Sequence, residues 1–105
     1  MQINKYRISP HAARRMAQRN VTVGDVALVL RFGQIVYRTS AEFYFLGRRD
    51  IPRGMEQAMD ALVGTTVVVE GDAISTVYRS RRALTRIKRK HKWHRARNYR
   101  PRAGA

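Results

Sequence analysis

Residues 79–105 carry 12 Lys or Arg and no Asp or Glu. A run with that charge cannot supply a hydrophobic core, so the core must come mainly from the 78 residues before it, which hold 10 Lys or Arg against 7 Asp or Glu. Of the chain's formal net charge of +15, the terminal segment therefore carries +12. Such an asymmetry points to a polyanionic partner and says where it binds. RNA and DNA come first, because neutralising many phosphates releases their counterions and gives tight binding at low salt. A solvated basic run that only aids solubility is the plainer alternative. Against it stand Trp93, Tyr99 and an apolar stripe, Ala83, Leu84 and Ile87, inside the same segment.

A chain of 105 residues has the length of one domain with a modest core. Two units are expected: an α+β body over 1–79 and a basic extension over 80–105. Without Cys there is no disulfide and no thiolate metal site, which suits a reducing cytoplasm. His11, His91 and His94 have no zinc-site spacing, and the last two lie among cations, so neither a metal nor another cofactor is expected. No segment reaches the ~20 apolar residues of a membrane span, and the first residues lack the apolar run of a signal peptide.

Ser9-Pro10 predicts an N-cap and first position for a helix over 11–20. Its buried side is read as Ala13, Met16 and Ala17, opposite His11, Arg14, Arg15, Gln18 and Arg19. Thr22 caps a second helix with Asp25 in its first turn, Val26, Val29 and Leu30 as its core face, and Gly33 at its end. The pattern then becomes extended. Residues 34–39 and 42–46 predict two strands around a Ser40-Ala41 turn. Residues 47–54 form a basic loop with Arg48, Arg49 and Arg53, and a short helix follows at Met55, Met59 and Leu62. Residues 65–69 and 73–78 form a hairpin around Glu70-Gly71-Asp72. The order predicts two N-terminal helices packed on one face of a four-stranded, mainly antiparallel sheet. Beyond it, Ser80 caps a basic helix over 81–92 whose apolar stripe lies on the body, each like-charge pair costing a few tenths of a kcal/mol.

His11, Arg15 and Arg19 recur at i, i+4 and i+8 and form one row. His exchanges protons near neutral pH, and Arg pairs bidentately with phosphate. Such a row suits metal-independent RNA cleavage: His11 moves the proton in 2′-hydroxyl attack, and Arg15 and Arg19 stabilise the charged phosphate. A positive helix end and neighbouring Arg residues would keep His11 neutral, as a base requires. A polar outer helix face is the alternative. Tyr78 and Arg79 close the last strand and are the second candidate pair: Tyr78 to donate a proton or stack a base, Arg79 to bind phosphate. An aromatic completing the core is the alternative there. Tyr37, Phe43, Tyr44 and Phe45 are expected in the core; the alternative is a base-stacking platform on an exposed sheet face, as in RNA-recognition sheets. Nucleic-acid contacts are expected from Arg14, Arg48, Arg49, Arg53, Arg81, Arg82, Arg86, Lys88, Arg89, Lys90, Lys92, Trp93, Arg95 and Arg97.

The segment Ser9-x-His11-Ala12-x-x-Arg15-Met16-x-x-Arg19-x-Val21-Thr22-x-x-Asp25-Val26, with Gly33 and the closing strands Val67-Val68-Val69 and Ser75-Thr76-Val77-Tyr78-Arg79, resembles a small bacterial family. Its members open with an H-A-x-x-R-M-x-x-R helix and are grouped with the BrnT and RelE toxins of the barnase–colicin–RelE ribonuclease class. The likeness covers about 6–79. It implies a RelE-like helices-then-sheet fold, endoribonuclease activity centred on His11, Arg15, Arg19, Tyr78 and Arg79, and an acidic antitoxin partner. The long basic tail departs from the short family pattern. Three functions are therefore weighed: a toxin-like metal-independent endoribonuclease; a non-catalytic RNA- or ribosome-binding protein; and a DNA-binding regulator. The last is disfavoured because the second helix exposes few base-reading side chains.

Overall fold

A computed structural model of the chain describes residues 2–3 and 5–90. Its strands are β1 (Gln2–Ile3), β2 (Tyr6–Ile8), β3 (Gln34–Arg38), β4 (Ala41–Phe45), β5 (Thr65–Glu70) and β6 (Ala73–Arg79). Its helices are α1 (Pro10–Gln18), α2 (Val23–Phe32), α3 (Glu56–Met59) and α4 (Ala83–Lys88), with single 3₁₀ turns at Arg48–Asp50 and Asp60–Leu62. The expected α+β class holds. The sheet has six strands rather than four, in the order β1-β2-β6-β5-β4-β3, and it is mixed.

The two strands missed in the sequence are the N-terminal ones. β2 has three residues with Arg7 in the middle, too few to show a period of two. Long-range pairing specifies it instead: it runs parallel to β6, with Arg7 opposite Ala73 and Ile8 opposite Ile74. The Arg7 backbone amide donates to the Asp72 carbonyl at 2.8 Å, and the Arg7 guanidinium meets the Asp72 carboxylate at 3.0 Å.

The caps of α1 and α2 are those the sequence indicates. Ser9 Oγ accepts from the Ala12 amide at 3.0 Å. Thr22 and Asp25 exchange side-chain and backbone hydrogen bonds, both at 3.0 Å, satisfying donors that a helix start leaves open. The buried side of α1 is Ala12 and Met16, not Ala13 and Ala17, which are exposed. The rotation is set where Ser9 Oγ donates to the Ser75 carbonyl at 3.2 Å, fixing α1 over β6. Gly33 ends α2 in extended backbone (φ −68°), so it is required by proximity rather than by left-handed geometry. A Cβ there would lie 2.7 Å from the Val29 carbonyl oxygen and 3.0 Å from that of Phe45.

In the β3–β4 hairpin Arg38 pairs with Ala41, so the turn is Thr39-Ser40, one residue earlier than expected. Both turn residues have positive φ, 49° and 61°, the geometry that matches the twist of paired strands. This register sends Ala41, Phe43 and Phe45 to one face and Tyr44 and Leu46 to the other. β5 and β6 turn at Gly71-Asp72, and a bulge leaves Ser75 without a cross-strand partner. The bulge resets the alternation, so Ile74 and Val77 face the same core.

The two N-terminal helices share one face of the sheet, and the C-terminal helix covers the other, a face the sequence did not assign to it. α1, α2 and the 55–62 segment close a main core around Met16, Val26, Val29, Leu46, Met59 and Val67. On the other face α4 buries Ala83 and Ile87 against Val36, Phe43, Phe45 and Val68. The body thus runs through α4 and does not stop at 79. α4 spans six residues, shorter than the expected 81–92. Its flanks place cations at i, i+4 (Arg82 with Arg86, Arg86 with Lys90), and such repulsion is offset only where the apolar stripe is docked. Ser80 shapes the approach, its Oγ accepting from the Arg82 amide at 3.2 Å, while Arg82 occupies the cap position. Phe43, Tyr44 and Phe45 are buried as expected. Tyr37 is 44% exposed because it lies on edge strand β3, and α2 packs mainly over β5 and β4.

Docking of α4 depends on Ile87, which is fully buried. Ile87→Ala is expected to lower the unfolding free energy in urea by roughly 2–5 kcal/mol. The same truncation at exposed Ile35 is expected to change it by less than about 1 kcal/mol.

Candidate functional site

Only part of the first-helix row lies on the helix. His11 and Arg14 are exposed on α1 and Arg15 is half-buried, while Arg19 is exposed at the C-cap in non-helical backbone (φ −107°). Arg15 Nη1 donates to Gln18 Oε1 at 3.0 Å, so one member of the row is held by its neighbour. Tyr78 does not join this row. It packs with Leu84 on the α4 face, while α1 packs its Ala12 and Met16 into the core on the opposite face. Arg79, next in β6, has the opposite parity. It is exposed, and its Nε donates to Thr65 Oγ1 at 3.3 Å. The five residues expected to form one catalytic group are thus divided between two sides of the sheet. Burial pushes the Tyr78 hydroxyl above its usual value, with the Thr66 hydroxyl and Arg86 pulling the other way. Tyr78 therefore stays protonated at neutral pH, able to donate but not to act as a base.

The α4 face gathers the cations instead. Arg81, Arg82, Arg86, Lys88, Arg89 and Lys90 are all exposed. Arg82, Thr85, Arg86 and Arg89 line a shallow hollow on the outer surface of α4. Lys90 Nζ lies 5.8 Å from the centre of the Phe43 ring, a cation–π contact that holds the end of the basic stretch to the sheet. Beside α4 an open cleft of about 590 Å³ is lined by Gln34, Phe45, Gly47, Arg48, Arg49, Leu84 and Lys88. It unites the 47–54 loop with the C-terminal helix, two segments the sequence flagged separately as polyanion contacts. Arg48 is engaged with Asp60 at 2.7 Å, an exposed pair worth little in stability. Asp50 Oδ2 accepts from the Gly47 amide at 2.8 Å and from Gln34 Nε2 at 3.3 Å, which fixes the cleft wall. Arg53 is exposed beyond Pro52 and does not line the cleft. Lys92, Trp93, Arg95 and Arg97, with His91 and His94, lie outside the described residues.

Gln34 and Leu84 are not marked as site residues by the sequence, where Phe45 reads as core ahead of a base platform, because nothing local marks three residues that meet only through the fold. A polar chain was missed for the same reason. On the α1–α2 face the Tyr44 hydroxyl donates to Glu42 Oε1 at 3.0 Å and lies 3.3 Å from the Tyr6 hydroxyl. Tyr44 has one hydroxyl hydrogen, so Tyr6 donates to Tyr44 and Tyr44 to Glu42. Burial raises the Tyr44 hydroxyl far above the usual tyrosine range, and its hydrogen bonds with Tyr6 and Glu42 add to that.

Residues 8–94 match the family model of a domain of unknown function, DUF4258. The chain belongs to that family. The match runs beyond α4 to residue 94, so this DUF4258 domain includes the basic helix rather than ending before it. Neither a curated protein nor a solved structure matches the chain significantly.

The raised Tyr44 value makes stability depend on pH. The stabilisation is whole below ~10, where an unfolded tyrosine ionises, and is lost as pH rises from there toward the folded-state value. Urea midpoints are expected to fall between about pH 9 and 11. Tyr44→Phe should shrink that fall, with a residual slope from Tyr78.

Proposed function

We propose that this DUF4258 domain binds RNA, free or ribosome-associated, through the cationic face built by α4 and the Arg48–Asp50 turn. The observation that carries the reading is the six exposed cations of residues 81–90, with no Asp or Glu among them, beside a cleft whose other wall supplies Arg48 and Arg49. A surface of that sign and size neutralises phosphates whatever the base sequence. The five further Lys or Arg of residues 91–105 extend the same charge. An acidic protein partner, the antitoxin of a toxin-like system, would compete for this face. The kinship with BrnT and RelE toxins and a cytoplasmic setting belong to the same proposal. DNA is the weaker partner: α2 exposes Val23, Gly24 and Arg31, a poor set for reading base edges in the major groove.

The second reading is metal-independent RNA cleavage. It is favoured by the exposed His11 one turn from Arg15 on a helix face, a proton carrier next to a phosphate-pairing group. In this reading the chemistry rests on His11, Arg15 and Arg19, with Arg79 on their side of the sheet and Tyr78 serving RNA on the other.

Log–log salt titrations on a single-stranded RNA measure the first reading. Arg86→Ala with Arg89→Ala should make the slope shallower by about 1.4, near 0.7 per cation lost. A wild-type slope near zero for both RNA and DNA would end it. In EDTA, cleavage lost in His11→Ala with binding retained would establish the ribonuclease, and binding without cleavage by either protein leaves RNA binding alone.

A further inference from the structure

The cleft between α4 and the Arg48–Asp50 turn holds a feature that phosphate binding does not use. Cations stand at its rim, but half-buried Leu84 and the 6% of Phe45 left exposed also line it. Apolar and aromatic surface contributes nothing to a phosphate, whereas it suits the face of a nucleobase. The volume, about 590 Å³, falls within the ~300–1,000 Å³ of ligand clefts. That is the scale of a nucleotide and not of a double helix, whose bases are stacked inside.

Gln34 adds polar chemistry at the same place. Its amide nitrogen donates to the Asp50 carboxylate, which also accepts from the Gly47 amide. An ionised carboxylate only accepts, so the amide orientation is fixed with its nitrogen toward Asp50. The carbonyl oxygen and the second amide hydrogen remain for a ligand. Side by side, such an acceptor and donor match the Watson–Crick edge of an unpaired base, which in a duplex is already occupied. Arg49 and Lys88, from opposite walls, are placed to pair with the phosphates on either side of the nucleotide.

We infer that this cleft takes one unpaired nucleotide of a single-stranded RNA, with the base against Phe45 and Leu84, its edge on Gln34, and its flanking phosphates on Arg49 and Lys88. The inference rests on the RNA-binding reading and narrows it to single strands.

The test compares the full chain's affinity, by fluorescence anisotropy, for three probes: a single-stranded RNA 12-mer, the same strand with abasic positions, and a duplex of equal length. Abasic positions keep every phosphate and remove the bases. The intact strand is expected to bind roughly tenfold more tightly than the abasic strand, as one stacked base supplies, and the abasic strand's salt slope is unchanged. Gln34→Leu and Leu84→Ser, both with retained circular dichroism, should each shrink the intact-to-abasic ratio toward one. Arg82→Ala, outside the cleft, should weaken intact and abasic strands alike and leave that ratio standing. Equal affinity for intact and abasic strands overturns the base site while RNA binding stands. So does a ratio that both cleft variants leave untouched, because the base contact then lies elsewhere in the chain. No binding to any probe overturns both readings. Displacement of the strand by an equal concentration of nucleoside monophosphate overturns the strand assignment in favour of a free-nucleotide site.

Discussion

The architecture depends on one strand being buried on both faces while hydrogen-bonded along both edges. β5 lies between β4 and β6, and Thr65 to Val69 are all buried. Val67 and Val69 point into the core under α1 and α2, and Val68 points into the core under α4. Burying each such side chain is worth roughly 1.5–3 kcal/mol. The two cores therefore share a backbone. Neither helical layer can loosen without exposing one side of the same strand, and the cationic face inherits its position from that constraint.

Much of this was legible locally. Ser9, Thr22 and Asp25 announce two helix starts because capping needs only neighbours in sequence. The β3–β4 and β5–β6 hairpins follow from β-branched and aromatic runs on either side of short turns. What was not legible depends on distant partners. β2 is strand because β1 and β6 lie on either side of it. A continuous apolar run such as Thr65–Val69 has no alternation from which to read one covered face or two, so the face that the C-terminal helix covers could not be assigned. The buried side of α1 is hard to read because alanines weigh little on a helical wheel, and it is Ala12 with Met16, not Ala13 with Ala17, that meets the core.

The candidate site divides the same way. The concentration of cations is a matter of composition and could be read at once. The cleft could not, since Gln34, Phe45, Arg49 and Leu84 come from four separate elements or turns. The division of Tyr78 from His11 is a question of strand parity. Val77 faces the α1 side and Tyr78 the other, and adjacent residues in a strand cannot serve the same face. The family match through residue 94 agrees with the packing: the helix that carries the charge is part of the domain.

Gly64 gives the charged helix its bearing. Its amide donates to the Leu46 carbonyl at 2.8 Å and its carbonyl accepts from the Ser80 amide at 2.9 Å. At φ +90° it lets Ser80 and Arg81 pass within 3.1–3.2 Å of where a Cβ would stand. The chain leaving β6 is thus fastened to the ends of β4 and β5 before α4 begins. Cations on a free segment must be ordered one by one when a polyanion arrives, and each costs conformational entropy. In the proposed RNA complex, those on α4 start from backbone positions fixed beforehand, so the helix acts as a ruler of charge spacing. Ligands whose phosphates repeat at a matching interval gain from that rigidity, and equally charged ligands of another pitch do not.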